Sequence, residues 1–177
     1  MHIALVAMYG VRAYNPELTA LGLSLPGFVE RGKTIASLPS LGLLTLAALT
    51  DERHDISDHE VDDIADLDPR PDCDLVALST YSAQAKDAYA LADRFAEAGI
   101  RTVIGGLHVT AMPDEALAHC DAVVVGEGES VWQQVVADAE AGTLAGVYRA
   151  DGSYDLADAP IPRYDLLDPD RYNRLTV

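Results

Sequence analysis

Four short, almost uninterrupted apolar runs constrain this chain more than any other feature: Ile3–Met8, Leu75–Leu78, Thr102–Ile104 and Ala122–Val125. Runs of that length, apolar at nearly every position rather than at alternate ones, mark strands buried on both faces. Such strands belong to parallel sheets covered by helices on each side. Asp55–Val61 is a further candidate, and its interrupting polar residues suit an edge strand.

Helical patterns fill the intervals. Leu41, Leu44, Ala48 and Leu49 share a face after the start signal Pro39-Ser40. Ala88, Leu91, Ala92 and Phe95 form a stripe over Gln84–Ala98, with Gly99 as its stop. Pro113-Asp114-Glu115 opens a short helix towards His119, because proline and acids both suit a helix N-terminus. Val131, Val135 and Ala139 mark a helix over Ser130–Ala141, with Gly142 following. Five strands alternating with four helices predict a doubly wound α/β fold of the Rossmann or flavodoxin kind. The expected sheet is parallel and five-stranded, in the order 2-1-3-4-5, with helices on both faces.

This pattern occupies residues 1–147. Residues 148–177 are rich in Asp and Pro, have no period, and read as a linker leading towards a further domain. Tyr9–Leu38 is a long connection after the first strand, of a length usually reserved for function. The 177 residues hold 12 Lys and Arg against 29 Asp and Glu, a net charge of −17. That balance argues against nucleic-acid partners, which need clustered cations, and against anionic membrane surfaces. Two cysteines, Cys73 and Cys120, supply neither a disulfide framework nor a four-cysteine metal site. The start lacks a basic flank before its apolar stretch, and Leu41–Leu49 is far shorter than the ~20 residues of a spanning helix. A cytoplasmic protein is the expectation.

In such sheets ligands sit beyond the carboxyl ends of the strands, where strand order reverses. Those ends carry Tyr9 and Gly10, then Ser79, Thr80, Tyr81 and Ser82. The third and fourth bring Gly105, Gly106, His108, Val109 and Thr110, and Gly126, Glu127, Gly128 and Glu129. Glycine pairs admit a ligand close to the backbone, and hydroxyls supply compact donors and acceptors. All are candidate cofactor-binding residues; none is assigned a catalytic or metal-ligating role. Tyr9-Gly10 and Ser79 stand where a phospho-receiver needs acids. A GxGxxG is missing after the first strand, and Glu127 and Glu129 would repel phosphate. A large, weakly charged ligand spanning several strand ends remains.

Three runs resemble the N-terminal cobalamin-binding domain of cobalamin-dependent radical S-adenosylmethionine proteins. They are Leu38-Pro39-Ser40-Leu41-Gly42-Leu43-Leu44-Thr45-Leu46-Ala47-Ala48, Gly105-Gly106-Leu107-His108-Val109-Thr110, and Val125-Gly126-Glu127-Gly128-Glu129. Ile161-Pro162-Arg163-Tyr164-Asp165-Leu166-Leu167 is similar to the linker before the catalytic barrel of those proteins. The resemblance implies a cobalamin-binding module working with a radical S-adenosylmethionine domain in cis or in trans. The iron–sulfur cluster and S-adenosylmethionine would be bound in that absent domain, since no CxxxCxxC occurs in this chain. Methionine-synthase-type domains carry Asp-x-His-x-x-Gly after the first strand. That motif is missing here, and no histidine lies between Met8 and Leu38. Ser79-x-Tyr81 stands where Ser-x-Leu is expected, with Gly105-Gly106 26 positions after Ser79. The implied state is base-off cobalamin with no histidine below cobalt. The implied reaction class is methyl transfer or radical chemistry, and this segment alone would not turn over substrate.

Single residues keep two readings each. His108 either hydrogen-bonds the corrin or its nucleotide, or braces its loop. Glu127 and Glu129 either accept from corrin amides or favour a helix N-terminus. Tyr81 either stacks on the nucleotide base or packs locally. Trp132 reads as core or partner interface. Asp58-His59-Glu60 resembles a metal triplet, but neighbours on a strand point to opposite faces. Two other functions stay open: a standalone α/β enzyme using His108 with Glu127 and Glu129 as acid–base groups, and an interaction module that binds no cofactor.

Overall fold

The computed structural model describes residues 1–8, 39–61, 64–67 and 71–168. Its strands are β1 (His2–Met8), β2 (Asp55–Val61), β3 (Leu75–Ser79), β4 (Arg101–Gly105), β5 (Ala122–Val125) and β6 (Gly146–Arg149). They form one sheet in the order β2-β1-β3-β4-β5-β6, and every adjacent pair is parallel. The doubly wound α/β fold is present, with six strands rather than five. β6 escapes a search for apolar runs because it is a short edge strand with Val147 and Arg149 exposed. It begins at residue 146, so the sheet continues past residue 147.

Side chains alternate between two cores. Ala4, Val6, Val76, Leu78, Ile104, Val123 and Val125 face α2 (Ala85–Glu97), α3 (Leu107–Ala111) and α4 (Pro113–Leu117). Ile3, Leu5, Leu75, Ala77, Val103, Ala122 and Val124 face α1 (Leu41–Leu49) and α5 (Trp132–Ala141). That two-sided burial is why the central strands are apolar throughout. Each fully buried Leu or Ile contributes roughly 1.5–3 kcal/mol.

Helix ends follow local chemistry. Pro113 opens α4, where its missing N–H costs nothing. Gly142 ends α5 at φ 72°, the left-handed conformation that a glycine adopts without strain. Leu107–Ala111 is a helix where a strand-end loop was expected.

The step β3–α2–β4 and the step β5–α5–β6 move in the same direction across the sheet. Their helices lie on opposite faces, so the two crossovers have opposite hands, although right-handed connections dominate parallel sheets. The consequence is positional: α5 sits on the same face as α1. Residues 151–168 then return over that face. The Arg163 N–H donates to the Leu44 carbonyl at 3.1 Å, Leu166 packs on the core and Leu167 is buried. Among the described residues, no helix is long and apolar enough to cross a membrane.

Candidate functional site

A slot of about 140 Å³ opens between α1 and α5 at the carboxyl edge of the sheet. That is close to the roughly 150 Å³ of a cavity that accepts a benzene ring. Leu43 and Leu46 of α1, Ala77, Val103 and Val124 of the central strands, and Trp132 of α5 line it with carbon. Ser79, Gly105, Gly106, Gly128 and Glu129 complete it, with Gly42 on α1. Five of the expected rim residues therefore converge on one cavity. Sequence reasoning missed its apolar walls, because Leu, Val and Ala in strands and helices read as core.

Three glycines shape the slot differently. A Cβ at Gly128 would sit 3.5 Å from the Leu46 side chain, in ordinary contact. A Cβ at Gly42 would meet no described atom within 4 Å, so no neighbour demands a glycine there. At Gly106, φ is 106° and ψ is −179°, a region that essentially only glycine occupies. A Cβ there would lie 2.5 Å from the Thr80 carbonyl oxygen. The close backbone approach expected from the Gly105-Gly106 pair is thus made at Gly106 by the chain itself.

The remaining rim residues go elsewhere. Thr80 is fully buried and its hydroxyl donates to the Tyr81 carbonyl at 3.1 Å. Tyr81 is 55% exposed on the rim. On the opposite face, His108 Nδ1 lies 3.0 Å from the Ser82 hydroxyl and Nε2 lies 3.5 Å from Glu115. Ser82 holds the ring through Nδ1, while Nε2 is buried without a hydrogen-bond partner among the described residues, with the Glu115 carboxylate beside it. Its ring centroid is 6.1 Å from that of Tyr89, whose phenol is pushed up to about 12, first by burial and then by Glu115. Val109 is buried in the core beneath α2. The Thr110 hydroxyl accepts from the Gly126 N–H at 3.1 Å. The Glu127 carboxylate accepts from the Tyr154 N–H, tying the rim turn to the returning tail. Glu127 and His108 thus have separate partners. Tyr9 and Gly10, and the rest of the connection to Leu38, lie outside the described residues.

Beside the strand starts, far from the slot, the Ser57 hydroxyl lies 2.9 Å from His2 Nε2 and 2.8 Å from His59 Nε2. Burial, and then the neighbouring His2, hold the His59 imidazole below its ordinary pKa.

The B12 binding domain family matches residues 33–136 of this chain. The bacteriochlorophyllide d C-12(1)-methyltransferase of Chlorobaculum tepidum is 42% identical over 77 residues, covering 44% of this chain and 17% of that protein. The bacteriochlorophyllide d C-8(2)-methyltransferase of the same organism is 38% identical over 101 residues, covering 56% and 22%. An uncharacterized methyltransferase of Pyrococcus horikoshii is 32% identical over 161 residues, covering 76% and 35%. The chain thus spans between 17% and 35% of the length of these relatives.

Proposed function

This chain belongs to the B12 binding domain family, and from that premise we propose that it is the cobalamin-holding module of a larger methyltransferase of the radical S-adenosylmethionine type. The observation that carries the reading is the slot between α1 and α5, open at the carboxyl edge beside Ser79 and Gly105. A cofactor with a flat head and an aromatic tail matches a glycine- and hydroxyl-lined rim that continues into an apolar cavity. The fit rests on the carbon lining of Leu43, Leu46, Val103, Val124 and Trp132 behind the Ser79 hydroxyl and Gly105.

In this reading the slot takes the nucleotide tail, the base lying against Leu46 and Trp132 with the Ser79 hydroxyl as its hydrogen-bond partner. Tyr81, exposed on the rim, and Glu129 face the corrin side chains. The cofactor would be base-off with no histidine beneath cobalt: His108 hydrogen-bonds Ser82 through Nδ1 on the other face, and residues 9–38 contain no histidine. Bound cobalamin would supply methyl-transfer or radical chemistry to the partner domain. That domain, in cis or in trans, would carry the iron–sulfur cluster and S-adenosylmethionine. This chain's residues bind and orient; they perform no bond-making step. The similarity to methyltransferases supports methyl transfer.

The test is reconstitution with hydroxocobalamin, desalting and an absorption spectrum. About one cobalamin per chain, with base-off bands, is the expected result. A folded protein that elutes colourless overturns the reading.

A further inference from the structure

Resting on that reading, we propose that the slot selects corrinoids by their lower base, accepting a benzimidazole and rejecting a purine. The walls contributed by Leu43, Leu46, Val103, Val124 and Trp132 offer only carbon to a ring lying between α1 and α5. The indole N–H of Trp132 does not reach the slot as a donor, because it is given to the Thr50 hydroxyl. Among the described residues, two polar side chains remain in the lining, Ser79 and Glu129. A dimethylbenzimidazole linked to its ribose keeps one free ring nitrogen, which one hydroxyl satisfies, and its methyl-bearing edge suits aliphatic walls. The Glu129 carboxylate can accept from an adenine's exocyclic amine, but an adenine also keeps further ring nitrogens that are acceptors, and a carboxylate cannot donate to them. They would be buried unpaired, and that penalty is the source of discrimination.

Gly42 is exposed and forms part of the slot's lining. Glycine is a poor helix former, yet it stands at the second position of α1 where an added Cβ would meet no described atom within 4 Å. A larger residue would be tolerated by the fold and would project at the slot.

The experiment titrates the unmodified chain with three ligands, following quenching of Trp132: cobalamin, its adenine-based analogue, and cobinamide, which has no base. Cobalamin should bind at least about tenfold more tightly than either of the others. Gly42→Leu, with a retained far-ultraviolet dichroism spectrum, should bind cobalamin about as weakly as cobinamide. Equal affinity for cobalamin and the adenine analogue overturns the selectivity while leaving corrinoid binding intact. Failure to bind any corrinoid overturns the cobalamin-module reading and the selectivity with it.

Discussion

The indole N–H of Trp132 donates to the Thr50 hydroxyl at 2.8 Å, and the same hydroxyl donates to the Leu46 carbonyl at 2.7 Å. One serial bond therefore ties the first residue of α5 to the end of α1, and both Trp132 and Leu46 line the slot. Trp132→Phe keeps a large aromatic wall but leaves the Thr50 hydroxyl without its donor. It should cost about 1 kcal/mol. Trp132→Ala should cost about 3–5 kcal/mol, because it also opens a cavity. Urea denaturation of the two variants checks the ranking; a Trp132→Phe variant as stable as the unmodified chain would contradict the bond's contribution, and equal losses in the two variants would contradict the cavity cost.

Gly106 is a backbone requirement before it is anything else. Gly106→Ala must adopt a conformation reserved for glycine and press its Cβ into the Thr80 carbonyl. Strain of this kind costs on the order of 1–3 kcal/mol before the clash is counted. The expected result is a clear fall in melting temperature without any ligand present. An unchanged melting temperature would show that the ends of β3 and β4 separate freely.

His108 braces the far side of the rim through its Nδ1 hydrogen bond with Ser82. His108→Asn should lower stability slightly and leave the cobalt spectrum of the reconstituted protein unchanged. A spectrum altered as for a lost nitrogen ligand would place His108 below cobalt.

The imidazole of His59 is held below its ordinary pKa by burial and by His2. The folded state therefore binds that proton less readily than the unfolded chain. Stability rises with pH where the unfolded state carries more protons. It should fall as pH drops below about 6.5, the ordinary imidazole value, and level off once the folded pKa is passed. Denaturation midpoints across this window should slope less in His59→Gln. An identical slope in the two proteins would remove His59 from the acid response.

The central sheet is legible in the sequence because β1, β3 and β5 are covered on both faces and so carry apolar residues throughout. β6 is not, since Gly146–Arg149 is short and half exposed. The rim is legible at Ser79, Gly105, Gly128 and Glu129, whose small or polar character interrupts apolar strands. The slot behind them is not. Ala77, Val103 and Val124 would have the same composition whether they met a helix or a ligand.

A crystal structure of this chain with hydroxocobalamin tests the account most directly. The account predicts the nucleotide tail between α1 and α5, its base against Leu46 and Trp132 and one ring nitrogen on the Ser79 hydroxyl. A bound corrinoid whose tail lies outside that slot, with the slot holding only solvent, would contradict it.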